Sequence, residues 1–295
     1  MPKSPSILSP DQLRSSLSAE LALPPGVRLP SPPGALLKIQ RLFRDPNLNF
    51  IKLADAIALD PATSASVLRL ARSPLFGLRR QPRTLVHAVA SIGMVELERM
   101  VVTQVALNTL TGSSSELHSY LRDAYGTALV TRTLCRRHEP LLDPGLAWPA
   151  GLLFDIGKLV RLSLYPEQDV EIRRAMLAGQ CSYASAEASL SLTDQHFLGA
   201  SLLYKWQLPM PYVEVALYGG RQDPLAGHGT HESLILRRIV SAAASLLGVT
   251  LNLTSTQERT EHRARAQVLL RLTDDAFLAE MAVIYDLLPT IRSLL

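Results

Sequence analysis

The chain is poor in cysteine, in aromatic residues and in any sustained alternation of apolar and polar positions. Its two cysteines, Cys135 and Cys181, lie far apart in 295 residues and fit neither a metal nor a redox spacing. Both are expected as buried, reduced thiols, which implies a cytoplasmic location. Aromatic residues make up 5% of the chain while Leu and Ala dominate, a bias toward helix over strand. No segment keeps a two-residue period, so no sheet is assigned. No glycine-rich loop is placed to cradle a phosphate, and no internal repeat is found. No charged region followed by an apolar core opens the chain, so no signal peptide is expected. The longest uncharged run near the C-terminus, Ile239 to Leu253, is too short to span a bilayer and contains Ser, Thr, Asn and Gly. A soluble protein with no membrane contact is the expectation.

An excess of one charge is also slight. Thirty Lys and Arg stand against 26 Asp and Glu, a net charge of +4 with nearly all cations Arg. That is too little to demand a nucleic-acid partner. What is present is enough chain to bury a large core, as one helical domain or two subdomains.

Residues 1–28 carry repeated Pro and Ser and read as an extended lead-in, with one short helix between Asp11 and Leu23. Ser31-Pro32 predicts a helix start, Ser31 as N-cap, with Leu36, Ile39 and Phe43 on its buried face and Asp45-Pro46 as its stop. A second helix buries Leu53 and Ile57 and ends at Asp60-Pro61. A third begins there with Ala65, Leu68 and Ala71 as its stripe. Ser73 to Gly77 is a turn, Thr84 caps the next helix, and Gly93 separates it from one running to about Thr111. Gly112 to Ser115 is the best internal linker. A helix marked by Leu121, Tyr125, Ala128 and Leu129 then runs to His138. A loop holding Pro144, Gly145 and Pro149 leads into an apolar helix at Gly151. Pro166 opens another, Leu198, Leu202 and Trp206 stripe the next, and Leu208-Pro209 stops it. In the last helix Phe277, Met281, Ile284, Leu288, Ile291 and Leu295 form one seam.

The most informative stretch is Gly151-Leu152-Leu153-Phe154-Asp155-Ile156-Gly157-Lys158-Leu159. It resembles the G-L-L-H-D-I-G-K-L signature of the HD superfamily of all-helical metal-dependent phosphohydrolases. Four more matches follow the order of a divergent branch, the HDOD family. They are Leu29-Pro30-Ser31-Pro32-Pro33, then Asp60-Pro61-Ala62-Thr63, then Leu68 to Gly77, then Ala88-Val89-Ala90-Ser91-Ile92-Gly93. Arg72 stands where the family has Asn, and Thr63 where it has an apolar residue. The resemblance covers roughly residues 27 to 250. It implies an all-α, multi-helix bundle in two helical layers or subdomains: 29–112, then an HD-like 116–250, with 251–295 as a C-terminal helical extension packed on the body.

An HD enzyme needs about four metal ligands, and by resemblance their positions here are Asp123, Phe154 with Asp155, Gln195, and a site near Tyr218. Imidazoles and carboxylates hold such a metal and lower the pKa of its water. Phe154 has no lone pair, Gln195 stands in place of a histidine with His196 displaced about 100° around the helix, and no histidine stands near Tyr218. No cofactor and no catalytic residue are therefore assigned. Asp155 is expected to be held by neighbouring helices or by Lys158. His196 is read first as a hydrogen-bonder. His228 and His231 belong to a polar loop.

Two basic clusters, Arg79, Arg80 and Arg83, and Arg132, Arg136 and Arg137, are candidate phosphate or partner contacts. No stacking aromatics accompany them, so nucleic acid is not the expected partner. Asp155 and Lys158 complete the candidate contacts. The resemblance implies a non-catalytic module that regulates signalling proteins, in pathways with cyclic dinucleotides or two-component regulators. The alternative is a remnant metal-dependent phosphohydrolase or phosphodiesterase with a rearranged site.

Overall fold

Prolines Pro61, Pro144 and Pro166 each stand at the first residue of a helix, where the missing N–H is not needed. In this computed structural model the chain is described at residues 6–7, 21, 23–59, 61–72, 82–110, 115–179, 181–251 and 256–293. The lead-in helix over 11–23, the turn at 73–77, Arg79, Arg80 and the linker at 112–114 lie largely or wholly outside the described residues.

The N-terminal layer consists of α1 (Gly34–Phe43), α2 (Phe50–Ala58), α3 (Pro61–Arg72), α4 (Leu85–Ile92) and α5 (Met94–Leu110). Helix α1 starts later than expected, with Pro33 rather than Ser31 as N-cap. A residue before proline is pushed out of the helical region, so Ser31 and Pro32 stay extended until the proline run ends. Asn49 caps α2 through the Ile51 and Lys52 N–H groups, and Thr84 caps α4 through that of His87. Gly93, at φ 93°, makes the break before α5 that a side chain would resist. The expected face of α2 is buried, that of α1 is buried at Leu36 and Ile39 and partly covered at Phe43, and that of α3 is rotated. Thr63, Val67 and Ala71, four residues apart, are buried, while Ala65 is exposed and Leu68 is partly covered.

The second layer runs through α6 (Ser115–His138), α7 (Pro144–Leu153), α8 (Ile156–Leu164), α9 (Pro166–Gly179), α10 (Tyr183–Ser189), α11 (Gln195–Lys205) and α12 (Met210–Tyr218). It ends with α13 (His231–Leu251), α14 (Thr256–Leu270) and α15 (Asp274–Ser293). The segment expected as a loop around Pro149 is helical. Asp143 caps it by accepting from the Gly145 N–H at 2.9 Å, and Pro149 sits inside α7.

One apolar core runs from Leu21 to Ile291 and includes the expected seam of α15 at Phe277, Met281, Ile284 and Ile291; Leu288 is partly buried against it, and Leu295 lies outside the described residues. Cys135 is buried in it as expected, whereas Cys181, beside the end of α9, is only partly covered. A sheet is present after all, but only as two residues a side. Ser6–Ile7 (β1) pairs in parallel with His228–Gly229 (β2), too short to show any period in the sequence.

Helix α13 is also longer than its uncharged run suggested. His231–Thr250 meets the length and apolarity of a membrane span, with mean hydropathy 1.4, and 61% of that window is buried inside the fold. It packs on α6, α12 and α14. It is a central core helix, and its Arg237 is paired internally with Glu214.

Candidate functional site

The apolar nonapeptide is divided between two helices. Gly151 to Leu153 finish α7, Phe154 and Asp155 turn, and Ile156 opens α8. Its two glycines are contact points between backbones. A Cβ on Gly151 would lie 2.6 Å from the Ala128 Cα of α6, and one on Gly157 would lie 1.7 Å from the Gln195 carbonyl oxygen of α11. Only glycine lets α7 lie on α6 and α8 on α11 this closely. The result is that Asp155 and Lys158 face the start of α11.

A cavity of about 430 Å³ opens at this crossing. Asp123 of α6, Phe154, Asp155, Lys158, Gln195 and His196 line one side, and Gly219 and Gly220 after α12 line the floor. Ser241, Ser245 and Gly248 of α13 and Glu261, His262 and Arg265 of α14 complete the wall. A second hollow of about 280 Å³ shares Asp123, Phe154, Asp155, Lys158 and Tyr183 with the first and adds Tyr120. Four of the five ligand positions named from sequence therefore meet at one cavity. Tyr218 does not line it; its ring lies under the Arg237 guanidinium, 4.1 Å from the ring centre.

The polar groups are tightly coupled. The Lys158 ammonium donates to Asp155 Oδ2 at 2.6 Å, the partner expected for this acid. Burial favours the neutral carboxyl, but Lys158 and His196 outweigh it and hold Asp155 below the usual carboxylate range. Burial likewise opposes the charge on Lys158, yet Asp155 lifts its pKa above the usual value. His196 is buried with Nδ1 3.1 Å from the Ala216 carbonyl oxygen, to which Nδ1–H donates. Nε2 is then the lone-pair nitrogen and faces the Gln195 amide nitrogen at 3.4 Å. Burial pushes the His196 pKa down despite Asp155 and Asp194, so the ring is neutral at neutral pH. A Cβ on Gly220 would lie 2.0 Å from this imidazole, which explains the glycine there.

This donor set does not fit an HD metal. Phe154 offers no lone pair, the ammonium of Lys158 occupies Asp155, and the His196 lone pair points at Gln195. Among the described residues no group of three or more His, Cys, Asp or Glu side chains could hold a metal ion.

The arginine clusters fare differently. Arg132 is buried and donates to Glu96 at 2.8 Å, so it is no surface cation. Arg137 forks onto Glu280, while Arg136 and Arg83 are exposed. Sequence reasoning missed the α14 wall and two buried ion pairs. Arg161 meets Glu187 at 2.8 Å, and Arg237 meets Glu214 at 2.6 Å with Ser233 beside them. A single charge inside an apolar run, such as Glu214 between Val213 and Val215, was the available signal.

A family model of the HDOD domain matches residues 29–220. This chain belongs to the HDOD family. A curated, uncharacterized protein of Treponema pallidum (strain Nichols) is 24% identical over 185 residues, 63% of this chain. The match spans only 36% of that relative's length. The fold is shared with an HDOD domain protein of unknown function from Geobacter sulfurreducens, at TM-score 0.69 and 19% identity, covering 96% of this chain and 95% of that one. A candidate phosphohydrolase from Shewanella amazonensis gives TM-score 0.69 at 19% identity over 90% and 95%. A candidate signal transduction protein from Marinobacter aquaeolei gives 0.64 at 18% identity over 95% and 64%. The HDOD match ends at Gly220, so α13 and α14, which supply a whole wall of the cavity, lie beyond it.

Proposed function

We propose that this HDOD chain is a non-catalytic regulatory module that acts on partner proteins in cytoplasmic bacterial signal transduction. The observation that carries the reading is the Asp155–Lys158 pair at 2.6 Å, with Phe154 beside it, at the positions where an HD enzyme would bind metal. A lysine ammonium satisfies the acid that a cation would otherwise hold, so the fold keeps its centre without the chemistry. The name of the Marinobacter aquaeolei neighbour is in keeping with such a role. So is the Treponema pallidum relative, in which the matched region is about a third of a longer chain.

Elemental analysis of the purified protein, with a screen of cyclic dinucleotides and nucleoside phosphates in added manganese or iron, tests the reading. The expected result is no stoichiometric metal and no turnover. One transition metal per chain, with hydrolysis abolished by Asp155→Ala at unchanged melting temperature, would favour the remnant phosphohydrolase instead. The names of the Shewanella amazonensis neighbours keep that second reading in view.

A further inference from the structure

The cavity contains acceptors that the protein itself leaves unused. Gln195 is 4% exposed, and its amide nitrogen is turned to His196, leaving Oε1 buried without a hydrogen-bond partner. Reversing the amide would set Oε1 against the His196 lone pair, so the observed orientation is the sound one. A buried carbonyl left in this state costs on the order of 1–3 kcal/mol unless something donates to it. Asp155 adds a second acceptor. Lys158 takes Oδ2, while Oδ1 lies 4.0 Å from His196 Nδ1, beyond hydrogen-bond range.

The charges around the cavity favour the same kind of guest. Asp123, Asp155 and Glu261 face it against two cations, Lys158 and Arg265. Both cations are already engaged: Lys158 by Asp155, and Arg265 by the carbonyl oxygens of Gly219 and Arg221 at 3.2 and 2.5 Å. Asp123 and Asp155 are themselves paired, with Arg122 at 2.9 Å and with Lys158 at 2.6 Å, so an anion finds no lining cation without a carboxylate or carbonyl already on it. The volume of about 430 Å³ suits a small organic molecule, and Phe154 and Leu247 give it apolar wall.

We propose that this cavity binds a small organic molecule with N–H donors, an amine, amidine or amino-substituted heterocycle, whose donors meet Gln195 Oε1 and Asp155 Oδ1. The inference rests on the regulatory reading, since it treats the former metal position as a ligand pocket. It also assigns α14 a role: this helix, beyond the family match, closes the pocket and sets its specificity. The ligand would then be the input that an HDOD module passes to its partners.

Titration calorimetry on the full chain tests this with benzamidine and 2-aminobenzimidazole, using benzoate and inorganic phosphate as anionic comparators. Both donor probes are expected to bind and to raise the melting temperature, and both anions to fail. Gln195→Met, which removes the unpartnered carbonyl while keeping the side-chain length, should weaken the donor probes about tenfold without lowering the melting temperature. Phosphate binding in preference to the amidines, equal binding by Gln195→Met, or no binding by either donor probe would each overturn the proposal. A manganese titration of the same sample keeps the two readings apart. Absence of probe binding without manganese uptake removes only the ligand assignment; manganese uptake with hydrolysis removes the regulatory reading as well.

Discussion

Gly157→Ala isolates the contact on which the site depends. By helix propensity alone the change should help, since alanine inside a helix is favoured over glycine by about 1 kcal/mol. The surroundings oppose it. The new Cβ would lie 1.7 Å from the Gln195 carbonyl oxygen, 2.6 Å from its carbonyl carbon and 3.1 Å from the Gly199 nitrogen. All three are backbone atoms of α11, so no side chain can rotate out of the way. A carbon–oxygen contact needs about 3.3 Å, so α8 and α11 must part by roughly 1.5 Å at the crossing. Overpacking of this kind costs about 1–3 kcal/mol and occasionally more, and the parted helices also lose dispersion contacts.

The clash exceeds the propensity gain, and a net loss of about 2 kcal/mol is expected. For a chain of this size that corresponds to a fall in melting temperature of roughly 3 °C. Urea unfolding gives the free energy directly, with the midpoint lowered and the slope unchanged. Gly34→Ala is the control, because nothing lies within 4 Å of its Cβ position. It should change stability by less than about 0.5 kcal/mol. A Gly157→Ala protein as stable as the parent, or more stable, would refute the backbone contact and the account of the site built on it.

Two further outcomes concern the buried ion pairs. Burial pushes Glu187 up to about 7, from the usual 4.5 of a glutamate, although Arg161 lies beside it. The native state therefore binds the extra proton between those limits, so this residue's contribution is fully present below about pH 4.5 and is lost as pH rises to about 7. Glu187→Gln should flatten that part of the stability profile, read as melting temperatures at pH 5 and pH 8; an unchanged slope would count against it. Arg237→Met leaves the Glu214 carboxylate buried without its 2.6 Å partner and should cost about 3–5 kcal/mol in urea unfolding. Replacing both residues, Glu214→Leu with Arg237→Met, should recover most of that loss; a double variant as unstable as the single one would show that the pair is not the cause.

The helices of the fold were legible because helices bury stripes, and the steps through Leu36, Leu53, Leu198 and Phe277 follow from period alone. Phase was less secure. In α3 two faces share Ala71, one through Ala65 and Leu68 and one through Thr63 and Val67, and the second went inside. Proline misled at Pro149, which reads as a breaker but sits in a helix already begun at Pro144 under the Asp143 cap. At the site, the motif located Asp123, Phe154, Asp155 and Gln195 at one cavity because motif order follows helix order. It could not reveal Ser241, His262 or Arg265, since which helix closes a pocket is set by packing across the chain. Arg132 shows the same limit from the other side: an arginine on a charged face turned inward because Glu96 was there to receive it.

Polar groups at the centre of a helical fold pose a specific physical problem. A carboxylate and a ring of polar groups stay at the centre of a helical bundle, where unpaired charge is costly. Here Lys158 answers Asp155 and the Ala216 carbonyl answers His196, but Gln195 Oε1 is left over. Apolar residues would have been the simpler filling, since a buried ion pair is often no more stable than a packed hydrophobic replacement. A cavity of about 430 Å³ lined by ordered polar groups therefore calls for an explanation. Its retention is explained if the space still has an occupant, and the occupant must bring the donor that Gln195 lacks.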